Sequence, residues 1–399
     1  MLIGIVGKPN VGKSTFFKAS TLAEVEIGDY PFVTIKANRG IGYVSIECID
    51  KEFNTQCNPR EGFCLKHTRF IPVELIDVAG LVPGAFEGKG MGNQFLDDLR
   101  QADILIHIID ISGSTNEKGE EIDPGSYDPA EDIRFLENEL DMWYLGIFNK
   151  VWEKFSKETV QTHQQTIKAL AKQFSGLGVN EDAVKKIILD MSLEEKRLTD
   201  WDQGILKTFV AKLRRLTKPM IIAANKIDTK TGQKNFDRIK KEFSDYTIMP
   251  CSAETELALR EASKKDLIDY VPGSQDFKIR ETSGLSDKQK AGLEFIRENV
   301  LRKLGSTGVQ QILNSAVFDI LGYIAVYPAG VNNLVDRNGN VLPDCFLMPR
   351  NSTALDFAYK IHSDIGDHFI RAIDVKTKRI VGKEHLLKHR DAFEIVTSK

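Results

Sequence analysis

Residues 7–14 read Gly-Lys-Pro-Asn-Val-Gly-Lys-Ser and follow directly on an apolar run at 2–6. Residue types at this spacing suit one kind of chemistry, the cradling of a phosphate chain. Gly7 and Gly12 let the backbone turn tightly, so that the stretch through Pro9, Asn10 and Val11 can fold around an anion with its N–H groups turned inward. Lys13 can reach the β- and γ-phosphates, and the Ser14 hydroxyl can bind Mg²⁺. The helix expected to open at Ser14-Thr15 aims the positive end of its dipole at the same point.

Three further groups follow in order. Asp77-Val78-Ala79-Gly80 closes an apolar run; a carboxylate there can hold Mg²⁺ through water, and the Gly80 N–H can sense a γ-phosphate. Asn225-Lys226-Ile227-Asp228 closes another. The Asp228 carboxylate can accept hydrogen bonds from N1–H and the 2-amino group of guanine, whereas adenine offers a lone pair at N1 and no 2-amino group. Lys226 would lie along the base, Asn225 would brace the phosphate loop, and a backbone N–H at Ser252-Ala253 can meet the guanine O6. Thr34 stands where a hydroxyl could join the Mg²⁺ once a γ-phosphate draws its loop in. These residues predict a GTP/GDP site with Mg²⁺ held by Ser14, Thr34 and Asp77.

A fourth group is less regular. Cys48, Cys57, Cys64 and His67 fall within 20 residues, and zinc could take four such ligands. The spacings are irregular and no C-x-x-C pair is present, so the expected reading is free thiols in a loop between two strands.

The elements that must position these residues alternate. Apolar runs at 2–6, 41–46, 70–76, 104–110, 220–224 and 246–250 read as strands, several of them continuous in Ile, Val and Leu, as strands buried on both faces of a mostly parallel sheet should be. Helical pattern separates them, which predicts an α/β domain. The alternation breaks at 113–216. After a polar stretch, Asp128-Pro129 opens a long helical pattern with Trp143, Phe148, Trp152 and Phe155 along it, and a second helix is expected over 160–174. The segment reads as an inserted antiparallel helical hairpin whose aromatic stripe is its own core. Beyond Pro250 the chain reads helical through about Phe318. From 321, strands at 323–327, 345–348, 369–375 and 393–397 and a helix over 353–362 predict a small α+β domain. The division is therefore 1–112 with 217–320, 113–216, and 321–399.

Composition is that of an average soluble protein, with 42% hydrophobic and 28% charged residues in 399 and a net charge of −3. The near-neutral balance makes no general claim for nucleic acid. No apolar run is long enough to span a membrane, and the chain opens on a strand rather than a signal peptide. Five cysteines beside a nucleotide loop predict a reducing, cytoplasmic setting.

In the order phosphate loop, Thr34, D-x-x-G, N-K-x-D and S-A, the chain resembles the translation-factor-like GTPases. Residues 7–14, the run Asp-Val-Ala-Gly-Leu-Val-Pro-Gly-Ala at 77–85 and Gly-Asn-Gln-Phe-Leu at 92–96 are similar to the Obg superfamily. The helical insertion and C-terminal domain resemble its YchF branch, particularly archaeal members. Residues 338–343 and 358–362 are similar to a TGS domain, of β-grasp type. The resemblance covers essentially the whole chain. It implies a monomeric, slow GTPase that switches on or near the ribosome, touching ribosome or RNA through the helical insertion and TGS domain. The alternatives are a nucleotide-gated binding module with incidental hydrolysis, or an ATPase of the same fold, since bacterial members differ at the position of Asp228 and tend to prefer ATP.

Catalysis is the least defined part. Lys13, Thr34, Gly80 and Asn10 are the candidate residues. Leu81 stands where Ras-like enzymes place a water-orienting glutamine, and a leucine cannot hydrogen-bond water. His107 lies inside a strand and is expected to be packed there. Asn10 could help hold a K⁺ ion beside the phosphates, supplying charge that an arginine finger would otherwise bring. Basic residues recur at Lys376, Lys378, Arg379 and Lys383, and at Arg214, Arg215 and Lys218, where RNA contact is conceivable.

Overall fold

The computed structural model describes residues 1–21, 39–78, 99–281 and 284–398. It divides into two compact units, one of residues 1–17, 36–40 and 75–254, the other of 18–35, 41–74 and 255–399.

In the first unit the strands Leu2–Val6, Ile104–Asp110, Met220–Asn225 and Thr247–Pro250 lie side by side, all parallel. Their composition follows from burial on both faces: Ile3, Ile5, Ile104, Ile106, Ile221 and Ile222 are fully enclosed. Register places Asp110 opposite Asn225. The chain therefore leaves neighbouring strands at the same edge through Gly7, Asp110 and Asn225. That carboxyl edge is where open parallel sheets bind ligands. Val78 N–H donates to Ile5 O at 3.0 Å, which brings Asp77 to this edge as well.

The helical part of the unit begins with Ala130–Gln161, which packs chiefly on Gln203–Thr217, while Thr166–Gln173 and Glu181–Asp190 pack on each other. The second helix expected over 160–174 is corrected. The first helix continues through Gln161, Thr162 turns its hydroxyl onto Glu158 O, His163 takes φ 51°, and the next helix starts only at Thr166. Hydrophobic periodicity ran on across a polar Thr-His-Gln break that ends the first helix. The aromatic stripe is core, as expected: Phe148 stacks on Phe174 with centroids 3.6 Å apart, and Trp152 meets Trp201 at 5.5 Å.

In the second unit, Phe63–Leu65 pairs antiparallel with residues 68–70, the start of the strand Thr68–Asp77, through the two-residue turn Lys66-His67, both at positive φ. The C-terminal part is a five-stranded sheet in the order Phe346–Pro349, Tyr323–Pro328, Asp391–Thr397, Phe369–Asp374, Ile380–Val381. Its core joins Ile324, Val326, Met348 and Phe393 to Phe357 of the helix Ala354–Ile361, whose start is fixed by a reciprocal cap between Thr353 and Asp356. This is the expected α+β domain. A short hairpin of Ile268–Asp269 and Lys278–Ile279 interrupts the stretch read as helical. Among the described residues no helix is long and apolar enough to cross a membrane.

Candidate nucleotide-binding site

The loop after Leu2–Val6 takes its shape from glycine. Gly7 sits at φ 153°, where an added Cβ would lie 2.4 Å from Ile108 O. At Gly12, φ 95°, a Cβ would lie 2.2 Å from Asn225 Nδ2. That space is used: Asn225 Nδ2 donates to Val11 O at 2.8 Å, and Asn225 Oδ1 accepts from Ala253 N at 3.0 Å. One buried amide thus ties the phosphate loop to the Ser252-Ala253 turn. Lys8 anchors the same loop elsewhere, paired with buried Asp132 at 2.9 Å, bonded to Thr115 O and placed over the Tyr127 ring. Asn10, at φ 61°, donates through Nδ2 to Gly119 O at 2.9 Å.

Along the strand edge the expected residues converge. Asn10, Gly12, Lys13, Ser14, Thr15, Asn225, Lys226, Asp228 and Ser252 line one cleft of ≈ 480 Å³, joined by Glu121, Thr229 and Glu254. Val11 and Ala253 are tied to the lining residue Asn225 by hydrogen bonds, and Gly7 opens the phosphate loop. Pro9 N-terminally adjoins Asn10, and its carbonyl would meet any Cβ on Gly119. Thr34, Gly80 and Leu81 lie outside the described residues.

Two features at the phosphate end are electrostatic. Burial pulls the Lys13 amine below its ordinary value, opposed by the charge of Asp77. Burial pushes the Asp77 carboxyl up, opposed by Lys13 and by the Ser14 hydroxyl, which donates to Asp77 Oδ2 at 3.5 Å. Asp77 Oδ1 is buried with no hydrogen-bond partner among the described residues. A buried carboxylate oxygen without a donor, beside a serine hydroxyl, is the oxygen-donor environment that Mg²⁺ selects.

At the base end, Lys226 adopts φ 62° and its ammonium is held by Asp110 Oδ2 at 2.9 Å and Ser114 Oγ at 3.3 Å. Asp110 is fully buried and also accepts from Ser112 N, Ser114 Oγ and Thr115 Oγ1. These donors and Lys226 hold its carboxyl below the usual range despite its burial, which acts the other way. The Asp110 network was absent from the sequence-based set. The sequence marks Asp110 only as a carboxylate ending an apolar run; its place beside Asn225 comes from the strand register.

His107 is packed in its strand, as expected. Burial, reinforced by Lys8, pushes its pKa down to about 3, so the imidazole is neutral. Two of the basic trio after the helical segment are a correction. Arg214 is 0% exposed and paired with Asp141 and Glu137, and Lys218 is buried on the carbonyls of Arg100 and Ala102, so neither offers charge to RNA; Arg215 is 46% exposed and paired with Glu137 and Asp245.

A phosphate loop whose Lys13 lines one cleft with the carboxylate of Asp228, at the carboxyl ends of parallel strands, is the arrangement of a P-loop GTPase. Family models agree along the chain: "50S ribosome-binding GTPase" matches residues 2–142, "Obg-like GTPase YGR210-like, G4 motif-containing domain" residues 223–331, and "TGS domain" residues 335–397. A GTP-binding protein of Methanocaldococcus jannaschii is 48% identical over 398 residues, covering 100% of this chain and 99% of the relative. The ribosome-binding ATPase YchF of Bacillus subtilis is 28% identical over 386 residues, covering 92% and 87%. Among solved structures, a GTP binding protein from Pyrococcus horikoshii aligns over 100% of both chains with a TM-score of 0.78 and 39% identity. The YchF GTPase of Schizosaccharomyces pombe shares the fold over 99% of this chain and 97% of its own, with a TM-score of 0.60 at 20% identity. The chain belongs to the YchF-type Obg-like GTPases and is a nucleoside-triphosphate-hydrolysing, guanine-nucleotide-binding protein with a C-terminal TGS domain.

Proposed function

We propose that the chain is a slow, GTP-selective switch that works on or near the ribosome. The observation that carries the reading is the position of Asp228 in the cleft, on a turn closed by Thr229 N to Lys226 O at 3.3 Å and by Ile227 N to Cys251 O at 3.2 Å. Two hydrogen bonds from guanine to this carboxylate, at about 1.5–3 kcal/mol each, would favour GTP over ATP by roughly 10²–10⁴-fold. Competition of labelled GTP by unlabelled GTP and ATP tests this. Equal competition would overturn it and favour the ATPase reading that the names of some relatives suggest. Asp228→Asn turns an acceptor into a donor, so its preference should move from guanine toward xanthine nucleotides.

In this reading Asn225 keeps the phosphate loop shaped before nucleotide arrives, Lys13 neutralises the β- and γ-phosphates, and Lys226 is held along the base by Asp110. Ser14 and Asp77 would hold Mg²⁺, joined by Thr34. The ion, when bound, spreads charge off the phosphate oxygens. Thr34 and Gly80 would report the γ-phosphate. Leu81 stands where a glutamine would orient the attacking water and cannot hydrogen-bond it, which supports slow hydrolysis and favours a binding module with incidental turnover as the second reading. Asn10, fixed at the cleft by Gly119, is our candidate for recruiting K⁺; equal turnover in KCl and NaCl would remove that role.

Ribosome association rests on the names of the relatives and of the family model matching residues 2–142. We assign the GTPase part to 1–112 and 217–320, the helical insertion to 113–216 and the TGS part to 321–399, and expect contact through the last two. Co-sedimentation with ribosomes should depend on whether a GTP analogue or GDP is bound. Nucleotide-independent sedimentation would count against a switch.

A further inference from the structure

We propose that the second unit contains a mononuclear zinc site made by Cys48, Cys57, Cys64 and Asp50, with His67 as a positioning residue behind the carboxylate. The four ligand atoms come from one strand end, the turn Ile49–Phe53, the loop after it and the strand Phe63–Leu65, yet all lie within 4.8 Å of one another. Cys48 Sγ and Cys57 Sγ are 3.4 Å apart, and Cys64 Sγ is 3.7 Å from Asp50 Oδ2. A tetrahedral ion with Zn–S bonds near 2.3 Å separates its ligand atoms by about 3.8 Å. These two separations lie within about 0.4 Å of that value, so small side-chain shifts would bring the set around one ion. An iron–sulfur cluster would need its thiolates spread wider than this. Three sulfurs and one oxygen also select a borderline-soft ion over Mg²⁺ or Ca²⁺.

The surroundings are those of a ligand shell. Asp50 is fully buried; its Oδ2 accepts from Cys57 N at 2.9 Å, and its Oδ1 faces His67 Nδ1 at 2.9 Å. His67 is itself fixed in the Lys66-His67 turn, where its carbonyl accepts from Cys48 N at 2.8 Å. Donors point at the sulfurs from the far side: Arg69 Nη1 at 3.7 Å from Cys57 Sγ and Tyr327 OH at 3.8 Å from Cys48 Sγ. Arg69 is buried, and its other hydrogen bonds among the described residues go to the carbonyls of Leu342 and Pro343. Three thiolates, one carboxylate and Zn²⁺ sum to −2, which gives this guanidinium a counter-charge. Binding releases the thiol protons to solvent and consumes no oxidant or reductant.

The loop between the ligands has a further use. Asn58 N–H donates to Val341 O at 3.2 Å, Arg60 N–H to Pro343 O at 3.1 Å, and Arg60 pairs with Asp344. An ion gripping Cys57 and Cys64 would therefore stiffen the loop on which residues 340–344 are seated.

The test is metal analysis of the full chain, purified reduced and dialysed against ZnCl₂. About one zinc per chain is expected, and Co²⁺ in its place should give an intense thiolate charge-transfer band in the near ultraviolet. Cys48→Ser and Cys64→Ser should reduce zinc to background while circular dichroism and GTP binding persist; Cys345→Ser, a thiol outside the set, should keep it. His67→Gln should weaken zinc by about 10–100-fold with the cobalt band retained. Chelation should speed hydrogen exchange at 58–60 and 340–344. A reduced, folded chain that takes up no zinc, or a Cys48–Cys57 disulfide in freshly isolated protein, would overturn the proposal.

Discussion

The nucleotide cleft and the thiol cluster both gather residues from distant parts of the sequence, but by different means. At the cleft, the sheet does the gathering. Gly7, Asp110 and Asn225 each follow or end a parallel strand, and register alone brings them to one edge. A few polar contacts then finish the shape, chiefly the Asn225 amide between Val11 and Ala253. The thiol cluster has no such frame. Its ligands come from a strand end, a short turn, a loop and a hairpin, joined by the Cys48–Cys57 contact and by the carboxylate of Asp50, which meets Cys57, Cys64 and His67. A site framed by strands tolerates the loss of one side chain better than it tolerates a change of backbone; a site framed by loops should show the reverse.

The largest expected effect tests the first half of that contrast. Gly7→Ala puts a Cβ 2.4 Å from a backbone carbonyl of the neighbouring strand, which cannot rotate away. We expect a loss of about 2–4 kcal/mol in urea unfolding and roughly 100-fold or more in nucleotide affinity. Normal binding by this variant would mean that the sheet does not set the loop. Next comes Arg69→Met, which keeps bulk but leaves the Leu342 and Pro343 carbonyls without their buried donor. About 2–3 kcal/mol should be lost, with faster hydrogen exchange at 340–344 and unchanged GTP affinity. A drop in GTP affinity would show that the two regions are energetically joined.

The same contrast explains what was legible in the sequence. Residues 7–14, Asp77 and the Asn225–Asp228 motif could be found because a strand run announces each one and their order is fixed by the sheet. Asp110 carries no motif, and a carboxylate ending a strand has many uses, so its hold on Lys226 needed coordinates. Asp50 was hidden more deeply: the irregular Cys spacings gave no zinc pattern, and His67 was taken for a direct ligand candidate when it faces the carboxylate instead. The helix break at Thr162–His163 was lost because apolar periodicity averages over three polar residues. Arg214 shows the opposite failure. Its charge suggested a solvent face, although Leu206, Val210 and Leu213 place it on the buried stripe of Gln203–Thr217.

A smaller effect separates framing from finishing within the cleft itself. Asp110→Asn preserves shape but removes the charge that holds Lys226. Guanine-nucleotide affinity should fall by about 10-fold, roughly 1.4 kcal/mol, with phosphate-loop integrity intact. Asn225→Ala, which removes two buried hydrogen bonds and the tie between two loops, should cost more. If Asp110→Asn proves the more damaging, then the base end rather than the phosphate brace is the organising centre.

The smallest expected effect concerns the strand beneath the phosphate loop. His107 lies opposite Val6 and is neutral, with its pKa pushed down to about 3 by burial and by Lys8. In the unfolded chain it titrates near 6.5. Between these values the unfolded state binds a proton that the folded state does not, so stability is whole above about pH 6.5 and declines as pH falls. Near pH 6 the loss from this one residue should be about 1 kcal/mol, steepening toward about 1.4 kcal/mol per pH unit below that. Thermal or urea unfolding of the native chain and of His107→Met, each followed from pH 8 to pH 5, isolates the term, because the substitution's own packing cost does not vary with pH. A flatter profile for His107→Met is expected. Parallel profiles would mean that the imidazole gains a proton without unfolding, and that the sheet framing the cleft yields more readily than its burial implies.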